Sequence, residues 1–92
     1  MEKFDAVFVG LTILDISGRP VSRMPDGGGV EFIDEIRLNP AGTAAGALIN
    51  AAKLGVKCAT VACVGTDEKG TFIIDAYKKL QIDCTMMKKT PD

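Results

Sequence analysis

The information about the fold is concentrated in Pro40-Ala41-Gly42-Thr43-Ala44-Ala45-Gly46-Ala47-Leu48-Ile49-Asn50-Ala51-Ala52-Lys53-Leu54-Gly55. Its first half is nearly bare of side chains, and its second half carries no charge before Lys53. A helix start built from such small residues lets a sheet, another helix or a ligand approach closely. We predict a helix from about Gly42, ended by Gly55 as a cap with positive φ. The predicted buried stripe of this helix consists of Ala45, Leu48, Ile49 and Ala52.

Downstream of this helix, strands and helices continue to alternate. The apolar run Lys57–Val64 predicts a buried parallel strand. Asp67 is a good N-cap for a helix over Glu68–Gln81, which would bury its apolar stripe. A last strand is expected over Ile82–Met87, and Thr90-Pro91-Asp92 is expected to be a loop.

Upstream, Ala6–Gly10 is a short apolar run typical of a central parallel strand that is covered on both faces. Ser17–Pro20 and Pro25–Gly29 carry turn signals. Val30–Leu38 alternates between apolar and charged residues, which favours an antiparallel strand with one face in water. Residues 16–39 are therefore predicted to form a small β insertion that stands off the main sheet.

The resulting order is β, small β insertion, α, β, α, β. This order predicts an α/β fold with a Rossmann-like parallel sheet, βαβαβ connectivity and right-handed crossovers. The 92 residues make one domain or part of one, and 47% apolar and 25% charged residues are ordinary for a globular protein.

Composition excludes several function classes. A net charge of −1 without a basic stripe argues against nucleic acid, and no apolar run approaches the roughly 20 residues that span a membrane. The chain has no histidine, so no His-based triad is possible within it. Cys58, Cys63 and Cys84 lack metal-ligand spacing and are expected to be buried free thiols in a reducing cytoplasm. A dinucleotide turn is disfavoured because Gly10–Asp15 contains one glycine, and no G-K-[ST] phosphate loop exists.

A few residues are candidates for ligand contact. Asp15 follows the first strand, where ligands bind in open α/β sheets, and could accept hydrogen bonds from two hydroxyls of a polyol. A surface or turn aspartate is an equal alternative. Gly42, Thr43 and Gly46 open the helix at its N-terminus, either to admit a ligand or to pack tightly against the sheet. Asn50 is predicted to be buried and to bond its own backbone neighbours.

Taken in order, these motifs resemble the N-terminal part of the PfkB, or ribokinase-like, carbohydrate kinase family. Val7–Gly10 is followed five residues later by Asp15, and Ala41–Gly46 runs into Asn50–Gly55. Val64–Gly70 then resembles the family's V-G-x-D-x-x-G. Each motif alone is weak, but the three in register are specific, and the resemblance covers essentially the whole chain.

The resemblance implies transfer of a phosphoryl group from ATP, with Mg²⁺, to a hydroxymethyl group of a sugar, nucleoside or related small molecule. It implies that Asp15 holds substrate hydroxyls and that Gly42 and Thr43, with Gly46 at the same helix start, contact substrate. It also implies that residues 16–39 form a lid over the site and a homodimer contact. A lid that excludes water suits phosphoryl transfer, since ATP hydrolysis must be avoided.

Some positions depart from the family pattern. Ribokinase itself has asparagine where this chain has Ile13, lysine at Thr43 and asparagine at Gly46, and many members have G-G at Ala41-Gly42. These differences argue against ribose as the acceptor. The family's catalytic base and ATP-binding residues lie far downstream, so residues 1–92 are expected to be the N-terminal portion of one ribokinase-like domain, without catalytic residues and inactive alone. A nucleoside kinase, a non-catalytic binding module and an unrelated α/β domain stay open as alternatives.

Overall fold

The computed structural model describes residues 3–91. Its elements follow the predicted order and mix parallel with antiparallel strand pairs, which confirms the α/β class. They are β1 (Ala6–Val9), β2 (Ile13–Arg19), β3 (Glu35–Ala41), α1 (Thr43–Lys53), β4 (Cys58–Val61), β5 (Cys63–Gly65), α2 (Glu68–Lys79) and β6 (Lys88–Thr90).

β4 and β5 follow one another along the chain, but each pairs in parallel with a different strand. β1 pairs with β4 in parallel, from Ala6 opposite Cys58 to Val9 opposite Val61. β5 pairs in parallel with β6 instead. The single strand predicted over Lys57–Val64 is therefore two strands, because the pairing partner changes at Ala62.

The last predicted strand is wrong in position. Of Ile82–Met87, only Asp83 pairs, through an isolated parallel bridge to Ala59. The Asp83 carboxylate accepts hydrogen bonds from the Thr85 N–H at 2.9 Å and the Thr85 hydroxyl at 2.6 Å, which turns the chain before pairing resumes in β6. Thr90, predicted as a loop, lies in β6, and Asp92 of that predicted loop lies outside the described residues.

Both helices begin where their cap residues predict. α1 follows Gly42, and Gly55 after its end has a φ of 94°, which confirms its predicted role. The Asp67 carboxylate accepts the Gly70 N–H at 3.1 Å, and this bond holds the pKa of Asp67 below its usual range. α2 ends at Lys79, two residues before the predicted end. With 11 and 12 residues, neither described helix is long and apolar enough to cross a bilayer.

The core lies between the helices and one face of the parallel strands. Its buried apolar members are Ala45, Leu48, Cys58, Val64, Ile73, Tyr77 and Ile82. The opposite face is not covered by residues 3–91, since Val9 is 71% exposed, so the expectation that β1 is covered on both faces is wrong for this part of the chain. All three cysteines are free, but Cys63 is exposed, contrary to the prediction of three buried thiols. Burial raises the pKa of the Cys58 and Cys84 thiols.

The predicted β insertion is a hairpin, and its paired strands extend on both sides beyond the predicted residues 16–39. β2 and β3 pair from Ile13 opposite Ala41 to Arg19 opposite Glu35. The turn expected at Ser17–Pro20 is wrong for its first three residues, which belong to β2. Gly18 serves side-chain packing there, because a Cβ at this position would lie 2.8 Å from Cδ1 of Ile33. The predicted strand over Val30–Leu38 begins only at Glu35.

Candidate functional site

Three consecutive residues form the root of the hairpin before β2, and each is held by a different element. The Gly10 N–H donates to a carbonyl of β4 at 3.3 Å, and the Leu11 carbonyl accepts from Ala45 of α1 at 3.3 Å. The Thr12 hydroxyl lies 3.2 Å from the Tyr77 hydroxyl of α2. The root of the hairpin is therefore fixed against a strand and two helices.

Asp15 lies three residues beyond this root, within β2 and opposite Asn39 of β3. Its side chain is exposed. The Ser17 hydroxyl donates to Oδ2 at 3.2 Å, and Oδ1 has no donor among residues 3–91. A carboxylate with one oxygen open to solvent can accept hydrogen bonds from ligand hydroxyls.

The alternation of the strands separates the two faces of the hairpin. Ile13, Asp15 and Ser17 lie on one face of the hairpin. Ala41 is opposite Ile13 and Asn39 is opposite Asp15, so both lie on the same face. Ala41 leads directly into Gly42 and the start of α1. The face that carries Asp15 therefore continues to the N-terminus of α1. The distance along the strand from Asp15 to the Ile13–Ala41 pair is roughly 7 Å.

The two glycines at this helix start have different surroundings. Gly42 has a φ of 111°, and a Cβ there would lie 2.5 Å from the Leu11 carbonyl oxygen, so close packing explains this glycine. A Cβ on Gly46 would meet nothing within 4 Å. Packing within the described residues accounts for Gly42 and leaves Gly46 unexplained. Thr43 is exposed, and the N–H groups of Thr43 and Ala44 find no acceptor in residues 3–91.

Several features of this region were missed or misread in the sequence. Asn50 is exposed, so its predicted burial is wrong. Asn39 also lies on the hairpin face that carries Asp15. Extending the alternation of β3 by one residue beyond Leu38 would have predicted this position. The contact between Thr12 and Tyr77 joins residues 65 positions apart and has no local sequence signal.

The exposed groups on this hairpin face and at the α1 N-terminus are hydrogen-bond donors and acceptors. Within residues 3–91, no group of three His, Cys, Asp or Glu side chains could hold a metal ion. The usable groups are one open carboxylate, free backbone N–H donors and the positive end of a helix dipole. Such groups recognise hydroxyls and anionic oxygens.

The described residues have parallel strand pairs packed against two helices, with a β-hairpin between the first strand and a glycine-rich helix start, and this arrangement is shared with solved structures of the ribokinase fold. The sequence matches the family described as pfkB family carbohydrate kinase over residues 3–92. The chain therefore belongs to the pfkB family of carbohydrate kinases.

Several solved structures share the fold of this chain. A protein of Agrobacterium tumefaciens described as a ribokinase is 30% identical with a TM-score of 0.78, over 91% of this chain and 27% of that one. A nucleoside kinase of Methanocaldococcus jannaschii is 28% identical with a TM-score of 0.70, over 91% of this chain and 28% of that one. A protein of E. coli described as ribokinase II, in complex with ATP and Mg²⁺, is 22% identical with a TM-score of 0.76, over 97% of this chain and 28% of that one. This chain thus spans less than a third of the length of each.

Proposed function

We propose that the protein to which these residues belong is an ATP-dependent kinase that phosphorylates a hydroxymethyl group of a sugar or sugar-like alcohol. The observation that carries the proposal is the open Asp15 carboxylate on the hairpin face that runs into the α1 N-terminus, in a chain of the pfkB family. These residues supply the acceptor-binding part of the site.

Each site residue has a distinct proposed role. Asp15 accepts hydrogen bonds from two hydroxyls of the acceptor, as a carboxylate with free lone pairs can. Thr43 and its backbone N–H bind an acceptor oxygen at the helix N-terminus, where the dipole favours negative charge. Gly46 leaves room for the acceptor, because packing within residues 3–91 does not require its missing Cβ. Gly42 acts by allowing α1 to begin against Leu11.

We further propose that residues 1–92 are the N-terminal portion of one ribokinase-like domain, with the hairpin as a lid. The coverage of 27–28% of the solved chains supports this division. Residues 3–91 offer no cluster of three metal-ligating side chains, so no metal site is assigned to them. We propose that other parts of the protein hold ATP, Mg²⁺ and the catalytic base, and that residues 1–92 alone are inactive.

An apolar residue on the hairpin face supports a second candidate for the acceptor. Ile13 shares that face with Asp15 and is 44% exposed, which offers an apolar surface beside the carboxylate. A nucleoside presents both a ribose diol and an apolar base plane, so a nucleoside kinase is the second candidate. A nucleoside kinase of M. jannaschii is among the solved structures that resemble this chain.

The other face of the hairpin supports a homodimer. Ile16 and Ile36 are each 61% exposed, and Leu38 beside them is 43% exposed, which is unusual for a strand pair in water. We propose that two copies bury these faces against each other, in a cytoplasmic protein whose free thiols suit a reducing compartment. Ile36→Glu should convert a dimer to monomers in sedimentation velocity, while an unchanged dimer would place the interface elsewhere.

The test uses the full-length protein in an ATP-consumption screen over sugars, sugar acids and nucleosides. For the acceptor that responds, Asp15→Asn should lower kcat/KM by about 10- to 100-fold, because a charged acceptor of hydroxyl hydrogen bonds is lost. The matched control is Asp34→Asn, which changes an exposed carboxylate one residue before β3 and should leave kcat/KM unchanged. Full activity of Asp15→Asn would refute the assigned site. Acceptor binding without ATP consumption by the wild type would favour the non-catalytic module.

A further inference from the structure

Tyr77 is the largest side chain that is fully buried in the described structure. It lies in α2, and its ring belongs to the core between the helices and the strands. A buried tyrosine needs a partner for its hydroxyl, because an unpaired polar group in the core is costly. That partner is the Thr12 hydroxyl, at 3.2 Å.

Thr12 is the last residue before β2 and the third of the three residues that anchor the hairpin root. The anchors at Gly10 and Leu11 use backbone groups, so they are largely independent of residue type. The anchor at Thr12 joins two side chains and exists only because threonine and tyrosine occupy positions 12 and 77. It is also the one of the three that connects the root to α2.

The direction of the hairpin depends on this root. No residue from Ile13 to Ala41 is fully buried, so the outer part of the hairpin has little core packing to fix its direction. α2 also contacts both hairpin strands. Asp15 lies three residues beyond Thr12, about 10 Å along an extended strand, so a small rotation at Thr12 displaces its carboxylate.

We propose that the Tyr77 hydroxyl is a positioning group for the acceptor site, which sets the place of the Asp15 carboxylate by holding Thr12 against α2. The proposal rests on the proposed function, in which Asp15 binds the acceptor. Tyr77 itself is buried and touches no substrate; it acts through Thr12 and the first residues of β2. Burial raises the pKa of the Tyr77 phenol, which keeps the group protonated and able to donate.

The experiment compares five variants of the full-length protein: Tyr77→Phe, Thr12→Val, the double variant, Thr12→Ser and Thr71→Val. Thr12→Ser keeps the hydroxyl. Thr71→Val is the matched control. In the wild type the Thr71 hydroxyl donates to the carbonyl of Asp67, the N-cap of α2, at 3.3 Å and not to the hairpin root. The readouts are kcat, the KM for acceptor and for ATP, and hydrogen exchange of residues 11–15 by mass spectrometry.

Tyr77→Phe and Thr12→Val should each raise the acceptor KM about five- to tenfold, the size expected for one hydrogen bond. The KM for ATP should stay unchanged, and residues 11–15 should exchange faster. The double variant should be no worse than either single one, because both remove the same bond. Thr12→Ser and Thr71→Val should keep the wild-type acceptor KM.

An unchanged acceptor KM and unchanged exchange at residues 11–15 in Tyr77→Phe, with or without a lower melting temperature, would overturn the proposal and leave Tyr77 a core residue only. Failure of the proposed function gives a different result, since the wild type would then phosphorylate no acceptor. In that case the exchange measurement still decides the positioning claim: faster exchange at the root supports it, and unchanged exchange refutes it.

Discussion

The hairpin and the helix–strand body of this chain are stabilised in different ways. Every fully buried residue of the described chain lies outside residues 13–41. The hairpin has seven regular backbone pairs between β2 and β3 but no core of its own, whereas the body packs two helices against parallel strands. The difference places most of the folding free energy in the body and leaves the hairpin free to contact ligands.

Ion pairs do not compensate for the missing core of the hairpin. Arg19 and Glu35 approach to 3.3 Å and Arg23 and Glu31 to 3.2 Å, with both arginine side chains largely exposed. Exposed pairs of this kind contribute about 0–1 kcal/mol each and weaken with salt. The hairpin therefore depends on its root for its direction and on its strand pairing for its shape.

Two leucines, one in each region, test this comparison with the largest expected effect. Leu48→Ala removes a fully buried side chain from the core and should lower the free energy of unfolding by about 2–5 kcal/mol. Leu38→Ala removes the same atoms from the exposed hairpin face and should cost less than about 1 kcal/mol in the monomer. Urea unfolding measures both. Equal losses would show that the hairpin contributes to the core after all.

The junction of the two regions should give the next largest effect. Gly42→Ala should lower the free energy of unfolding by about 2–3 kcal/mol, because the new Cβ meets the Leu11 carbonyl oxygen at 2.5 Å and the φ of 111° is strained for alanine. Gly55→Ala is the control: its φ is 94°, but a Cβ there meets nothing within 4 Å. It should cost only about 1 kcal/mol, from conformation alone. Equal losses in urea unfolding would mean that the contact with Leu11 carries no weight.

Sequence patterns predicted the helices of the body better than the strands of either region, for a physical reason. Helix starts and ends are set by local chemistry, and Asp67 and Gly55 mark them within a few residues. The strand pairing of the hairpin depends on partners 20 or so residues away. Ser17–Arg19 therefore looked like a turn, although the partner strand β3 holds it extended and the Ile33 side chain fills the space at Gly18.

The candidate site was predictable only in part. Asp15 and the small residues at the start of α1 form a motif that is recognisable in the sequence. Whether packing requires the glycines depends on the position of Leu11, which the local sequence does not give. Asn50 shows the opposite failure: its alanine-rich surroundings indicated burial, yet it lies on the exposed side of α1. The bond between Thr12 and Tyr77 is a tertiary contact with no trace in either local segment.

A smaller effect is expected from the cap of α2, which belongs to the body alone. The Gly70 N–H, and after it Lys69, lowers the pKa of Asp67 in the folded state. Its contribution to stability is therefore present above the ordinary aspartate pKa of about 3.9 and is lost as the pH falls through the lower folded value. Asp67→Asn keeps a capping oxygen without titrating, so its melting temperature should change less below about pH 4. Melting curves from pH 2 to 6 check this, with Asp75→Asn on the same helix as control. Identical acid profiles for Asp67→Asn and wild type would refute the role of the carboxylate.

Gly46 gives the smallest effect on stability and separates packing from ligand contact most directly. Its N–H already donates to the Gly42 carbonyl at 2.8 Å, and an added Cβ meets nothing within 4 Å. Gly46→Ala should therefore raise the free energy of unfolding by about 0.5–1 kcal/mol through helix propensity. If Gly46 is kept small for the acceptor, the same substitution should raise the acceptor KM. The exposed neighbour Ala47 is the matched control, since Ala47→Gly should destabilise by a similar amount and leave KM unchanged. If Gly46→Ala is more stable than the wild type and has the wild-type acceptor KM, Gly46 is not part of the site, while Asp15 stays in it. If Gly46→Ala is less stable, packing outside residues 3–91 requires the glycine.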